Sequence, residues 1–138
     1  MIVVDTNVVS ELMRAAPARK VLAWFSKHPA ARLYVTTITV AEVLTGIALL
    51  PRGRRRNALE DAASRMFEED FAGRCLAFDV LSASHYAAIV ASRQRAGRPV
   101  ATMDAQIAAI ARSRGGPLAT RNVDDFEGCG VELIDPWA

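Results

Sequence analysis

Short β-branched runs alternate along this chain with stretches whose apolar residues recur at helical spacing, and that alternation restricts its fold more than any other feature. Ile2-Val3-Val4 reads as a buried strand, stopped at once by the helix-starting residues Asp5-Thr6-Asn7. Val8, Val9, Leu12 and Met13 follow at helical intervals, and Pro17 opens a second helix with Val21, Leu22, Trp24 and Phe25 on its apolar face. His28-Pro29 closes that helix. Leu33 to Ile38 is the second strand, Thr39 to Leu50 the next helix, Pro51 to Arg56 a loop, and Asn57 to Phe71 an amphipathic helix. Leu76 to Phe78 is a short strand; Ser82 or Ser84 caps a helix to about Arg95, which Gly97-Arg98-Pro99 ends. Val100 to Met103 is strand-like and Asp104 to Arg114 helical, and Leu118 to Thr120 and Val131 to Ile134 are the last two strands. Such alternation predicts an α/β fold around a central, mostly parallel sheet. With no repeat, linker or low-complexity tract, residues 1–138 are expected to form one domain.

A hydrophobic fraction of 51% with 23% charged residues excludes a disordered chain. The apolar start at Met1–Val4 is interrupted by Asp5 and lacks a basic leader, and every later apolar segment meets a charge too early to span a bilayer. The expected location is the cytoplasm, with no membrane partner. Cys75 and Cys129 show neither CxxC nor ligand spacing, and His28 and His85 have no His or Cys partner at ligand spacing, which argues against zinc. The net charge of +2 hides its make-up: Lys20 and Lys27 are the only lysines, so the positive charge is nearly all arginine, whose planar fork suits phosphate oxygens.

The acids carry the chemistry. Asp5 follows the first strand, Glu42 lies in the first turn of the helix after the second, and Asp104 opens the helix after the strand-like run beyond Pro99. Asn122, Asp124 and Asp125 follow Leu118–Thr120. In a parallel sheet these positions share the carboxyl edge, where open α/β folds place their sites. Each has a plainer reading: Asp5 and Asp104 as helix caps, and Thr39-Val-Ala-Glu42 as a capping box. Capping does not explain why three acids share one edge. Packed together they would raise one another's pKa unless a cation neutralised them, and Mg2+ or Mn2+ prefers such oxygens. A bound divalent ion can acidify a water and offset charge developing on a phosphodiester. No G-x-S-x-G elbow, P-loop or G-x-G-x-x-G offers a competing chemistry.

Four segments resemble a known family in its own order. Val4-Asp5-Thr6-Asn7-Val8-Val9-Ser10-Glu11-Leu12 is similar to the opening motif of PIN domains, Thr39 to Gly46 to their second motif, and Gly97 to Ala111 to their third. Leu118 to Trp137 resembles the C-terminal block of the FitB-like branch of VapC toxins. The resemblance implies a PIN-like three-layer α/β/α sandwich and a Mg2+-dependent endoribonuclease, with Mn2+ an alternative ion. It implies the toxin of a toxin–antitoxin pair: a homodimer neutralised by a VapB-type antitoxin, with RNA as substrate and DNA reached only through the antitoxin. Carried over by position, Asp5, Glu42 and Asp104 are the catalytic and metal-binding acids, Asp5 and Asp104 the more direct and Glu42 acting through water. Thr6, Asn7 and Thr120 would steady the pocket. Where many PIN domains carry a fourth acid this chain has Asn122, which leaves Asp124 or Asp125 to supply that charge; Asp125, preceding Phe126, matches the pattern better. Whether one or two metals bind stays open.

Arg52, Arg54, Arg55 and Arg56 form the densest basic cluster, a solvated loop or an RNA-backbone contact. Arg93, Arg95 and Arg98 form a second group near the third motif, and Arg121 adjoins the site with Asp124 or Glu127 as alternative partners. The helices Pro17–Lys27 and Asn57–Phe71 are expected to wall an antitoxin groove, and Ser82–Arg95 to form the dimer face. Two other readings stand beside the nuclease. One is a catalytically weak PIN-fold partner within an antitoxin–DNA complex. The other is a phospho-acceptor receiver, disfavoured because neither lysine follows a strand as a receiver needs.

Overall fold

The computed structural model describes residues 1–138. Five strands, β1 (Ile2–Val4), β2 (Leu33–Thr36), β3 (Cys75–Leu76), β4 (Leu118–Ala119) and β5 (Leu133–Ile134), pair in the order β3-β2-β1-β4-β5. Every pairing is parallel. Because side chains alternate across a strand, β1 and its neighbours feed two cores. Ile2, Val4, Leu33 and Val35 pack on one face with α1 (Thr6–Leu12), α2 (Arg19–Ser26), α3 (Thr37–Ala48) and α4 (Arg54–Arg65). Val3 and Leu118 pack on the other with α5 (Val80–Arg95) and α6 (Thr102–Ser113). The result is the expected α/β/α sandwich, with an all-parallel sheet.

The strand order carries the functional consequence. From β1 the chain steps outward through β2 to β3, then returns to add β4 on the opposite side of β1. The carboxyl ends of β1 and β4 therefore flank the point where the winding reverses, the crevice at which parallel sheets bind ligands. Asp5 and Thr120 are the residues that leave those two strands.

Several local expectations are corrected. Val100–Met103 is not a strand: α5 ends in a Schellman turn, in which Gly97 (φ 72°) and Arg98 donate to the carbonyls of Gln94 and Arg93, and the chain enters α6 at Thr102. The two helices then pack as a hairpin on the sheet, and one valine is too little to hold a strand there. Asp79, not Ser82 or Ser84, caps α5, its carboxylate accepting from the Ser82 amide at 2.9 Å. The arginine loop is shorter than expected, since α4 starts at Arg54. Beyond Arg65 the chain widens into a five-residue turn, Met66–Asp70, closed by the Phe71 amide on the Met66 carbonyl at 2.9 Å. The extra residue brings Met66 and Phe71 toward one face, and both are buried.

Ile89 on α5 is fully buried, while Leu49, just past α3, is 81% exposed. Ile89→Ala should cost about 2–5 kcal/mol in urea denaturation, and Leu49→Ala less than about 0.5 kcal/mol. Equal losses would contradict this placement of the core.

Candidate active site

Asp5 sits at the reversal point with only 4% of its surface exposed. One carboxylate oxygen accepts from the Thr6 amide, the first of α1, at 2.8 Å, one residue short of the amides an N-cap side chain ordinarily holds. The other accepts from Thr120 Oγ1 at 2.8 Å, which capping does not require. Thr120 in turn accepts from Asn7 Nδ2 at 3.3 Å and from the Asn122 amide at 3.1 Å, and Asn7 Oδ1 accepts from the Arg121 amide at 3.3 Å. The ends of β1 and β4 are thereby stapled through Thr120 and Asn7, and Asn122 contributes its backbone. Burial pushes the Asp5 carboxyl up to about 6, against the pull of the Thr120 and Thr6 hydrogen bonds, and the charges of Asp104 and Glu42 push the same way.

Glu42 is free for a site role because it caps nothing. The helix cap is Thr36, whose hydroxyl accepts from the Thr39 amide at 3.1 Å, so the expected Thr39–Glu42 capping box does not form. Glu42 Oε1 instead accepts from Thr6 Oγ1 at 2.8 Å. Thr6 has one hydroxyl hydrogen, and Glu42 takes it, so in its 3.0 Å contact with Thr39 it must accept. Thr39 Oγ1 lies 3.4 Å from Thr36 Oγ1. The three hydroxyls form a directed chain, Thr36 to Thr39 to Thr6, that ends on the Glu42 carboxylate and fixes one of its oxygens. Thr36 and Thr39 are site residues that the sequence reading missed; the threonines spaced three apart before Glu42 were the available signal.

Asp104 is half-buried in the first turn of α6 and is not its cap, which is Ala101. Its carboxyl is raised by desolvation, then by the charges of Glu42 and Asp125. Asp125, on the short turn Val123–Phe126, is the acid of the C-terminal block that adds to the push on Asp104. None of the four ion pairs in the molecule touches Asp5, Glu42, Asp104 or Asp125. Adjacent carboxylates that lack a cationic neighbour fit a hard divalent cation by donor type. No three His, Cys, Asp or Glu side chains stand together as a ready-made ligand cage.

Beside the acids opens a cavity of about 930 Å³. Thr6 and Glu42 lie at one end, and Met13, Val43, Ile47 and Leu59 give it an apolar wall. Its sides are the segment after α1, α3 and α4; α2, expected as a wall, does not line it. Arg14 and Arg55 stand on its lining. Arg52 and Arg54 are exposed, whereas Arg56 is tied to Glu60 at 2.9 Å. Arg121 lies 5.0 Å over the Trp137 ring rather than on Asp124 or Glu127, and Arg98 pairs with Glu127 at 3.4 Å. Arg93 is buried and so is not a surface phosphate contact. Glu11, overlooked in the sequence, is buried too: it accepts from the Ala18 amide at 2.9 Å and from Arg14, which holds its pKa below the usual range and fixes the turn that walls the cavity.

Comparison with known proteins agrees with this architecture. The family model described as PIN domain matches residues 2–128. A relative named VapC ribonuclease Y4jK from Sinorhizobium fredii is 40% identical, covering 99% of this chain and 98% of its own length. One named Toxin FitB from Neisseria gonorrhoeae is 37% identical, covering 99% of both chains. A solved structure of FitAB bound to an IR36 DNA fragment superposes with a TM-score of 0.93 at 37% identity, covering 100% of this chain and 96% of that one.

Asp5 gives a pH signature in the metal-free protein. Its folded-state pKa lies above its ordinary 3.8, so its favourable contribution is complete below pH 3.8 and is lost as the pH rises through about 6. Asp5→Asn does not titrate. Measured by urea denaturation, the stability of the variant relative to wild type should rise between pH 4 and pH 7 by up to about 3 kcal/mol. A difference independent of pH would refute the burial assigned to this carboxyl.

Proposed function

The chain belongs to the PIN-domain family, and we propose that it is the toxin of a toxin–antitoxin pair, a Mg2+-dependent endoribonuclease silenced by a VapB-type antitoxin. The observation that carries this reading is the buried Asp5 carboxyl at the sheet reversal, which the charges of Asp104 and Glu42 push further up and which no arginine or lysine pairs. Desolvation already opposes the charge on Asp5 and Asp104, and a fold under no demand from a ligand would gain by replacing either. Relatives named as a ribonuclease and a toxin at 40% and 37% identity point to the same chemistry.

Asp5 and Asp104 would hold the cation, with Asp125 adding charge from the turn. When bound, the ion supplies an acidified water and neutralises charge that develops on the phosphodiester. Glu42 has one oxygen fixed by Thr6, which leaves the other to accept a proton from the attacking water. Thr120 and Asn7 keep Asp5 from rotating out of the site. Arg55, on the lining of the cavity, would attract the RNA backbone, and Arg52 and Arg54 would extend that field. The apolar wall of the same cavity suits an antitoxin segment, so that one occupant excludes the other. Val80 and Leu81, exposed at the start of α5, would be covered in a homodimer. No helix is long and apolar enough to cross a membrane. The FitAB structure, bound to DNA, favours a second reading in which the chain serves mainly as a partner in a regulatory complex.

Expression without the antitoxin should arrest growth, and Asp5→Asn or Asp104→Asn should relieve the arrest. Purified protein should cut RNA with Mg2+ and stop with chelator, each variant losing on the order of 100-fold or more. A wild-type protein that binds its partner but cuts no RNA at any Mg2+ or Mn2+ concentration would decide for the second reading.

A further inference from the structure

We infer that Arg93 is a positioning residue for the acid site, its buried guanidinium tying the turn that carries Asp125 to the loop that leads into Asp104. This rests on the proposal that Asp125 belongs to the metal-binding set.

Arg93 lies near the end of α5 with 6% of its surface exposed, and no carboxylate pairs with it. A buried cation without a counter-ion is costly unless every donor finds an acceptor. Here Nε and Nη1 find backbone carbonyls of two separate segments, while Nη2, with no partner in the chain, still reaches solvent. Nε donates to the Arg98 carbonyl at 2.6 Å, on the loop before α6. Nη1 donates to the Asp125 carbonyl at 2.8 Å and the Glu127 carbonyl at 3.0 Å, and meets Cys129 Sγ at 3.4 Å. One planar fork therefore bridges the approach to Asp104 and the turn of Asp125. A lysine ammonium, a single point on a flexible stem, has no geometry to serve both at once.

The turn also has its own bond from the Asp125 amide to the Asn122 carbonyl at 3.0 Å and the Asn122 amide bond to Thr120 at 3.1 Å, but neither ties it to the loop before α6. Asp125 itself is exposed, and the neighbouring tie from Arg98, to the Asp124 carbonyl at 3.2 Å and Glu127, lies at the surface, where a solvated pair contributes little. Phe126 is buried beneath the turn, which anchors its depth but not the direction of residue 125. Arg93 Nη1 also reaches Cys129 Sγ, which extends the tie to the far end of the same segment. The charges acting on Asp104 are acidic ones, Glu42 and Asp125. Arg93 thus serves the site through the backbone it grips and leaves the carboxylates to a cation.

The test compares the full chain as wild type, Arg93→Lys, Asp125→Asn and the double variant. Mn2+ affinity is read by electron paramagnetic resonance, and turn order by amide hydrogen exchange. Arg93→Lys should weaken Mn2+ binding roughly 10-fold, Asp125→Asn comparably, and the double variant no further than Asp125→Asn alone. Exchange at the Glu127 and Cys129 amides should accelerate in Arg93→Lys while Val3 and Asp5, in the sheet, keep their protection. Arg93→Gln, which keeps a planar donor and removes the buried charge, carries the same expectations should the lysine variant fail to fold. Losses that multiply in the double variant, unchanged Mn2+ affinity beside faster exchange, or unchanged exchange would each overturn the inference. A wild-type chain that binds no Mn2+ would instead overturn the reading of the site, and exchange alone would then decide whether Arg93 orders the turn.

Discussion

A carboxylate withheld from water at the place where the sheet reverses its winding sets the terms for the rest of the molecule. Asp5 leaves β1 into a gap bounded by Thr120 from β4 and Thr6 from α1, and its two oxygens take one hydrogen bond from each. Those bonds lower its proton affinity, yet desolvation outweighs them. The balance is unfavourable for a free carboxylate and favourable for one that meets a cation. Parallel strand order creates the gap, so fold and chemistry follow from one constraint: β4 must return beside β1.

Positive charge is handled in a way that preserves this imbalance. Arg93, deep in the protein, spends its donors on carbonyls, and Arg74 is similarly engaged with the carbonyl of Leu33. Arg14 is drawn onto Glu11, Arg56 onto Glu60, and Arg121 over Trp137. Chains of hydroxyls do the close positioning instead, Thr36–Thr39–Thr6 for Glu42 and Asn7–Thr120 for Asp5. A hydroxyl orients a carboxylate without cancelling its charge; an arginine in the same place would compete with the ion. Stability is given up at the site for that reason, and the alanine-rich, fully buried core of α6 beneath it helps to offset the loss.

Much of this was legible in the residues, for a physical reason that also marks where legibility stopped. Ile2–Val4 and Leu33–Thr36 read correctly because a buried parallel strand is apolar on both faces. The acids at positions 5 and 104 stood out because each follows an element boundary, whereas Glu42, expected in the first turn of its helix, lies in the second because α3 already begins at Thr37. Val100–Met103 misled because a few β-branched or apolar residues after a proline look the same whether they pair or merely bridge two helices. Thr36 and Thr39 are equally good caps by composition, and only the backbone decides between them. Arg93 was grouped with its neighbours Arg95 and Arg98 as surface charge, since nothing in the local sequence reports that carbonyls 32 and 34 residues away will meet it.

The same distinction bears on Asn122. Position 122 lies two residues past Thr120, which leaves β4, and its backbone amide is held by the Thr120 hydroxyl at 3.1 Å. With an amide side chain there, the proposed source of that charge is Asp125, three residues further on in the turn Val123–Phe126. An acid on a four-residue turn inherits no direction from a ladder of hydrogen bonds, so its placement must come from side chains that hold the turn. A negative charge carried on such a turn thus creates a need for a rigid tie behind it. A buried guanidinium satisfied by carbonyls meets that need without placing a counter-charge among the acids, whereas an ion pair to Asp125 itself would have cancelled the charge the turn delivers.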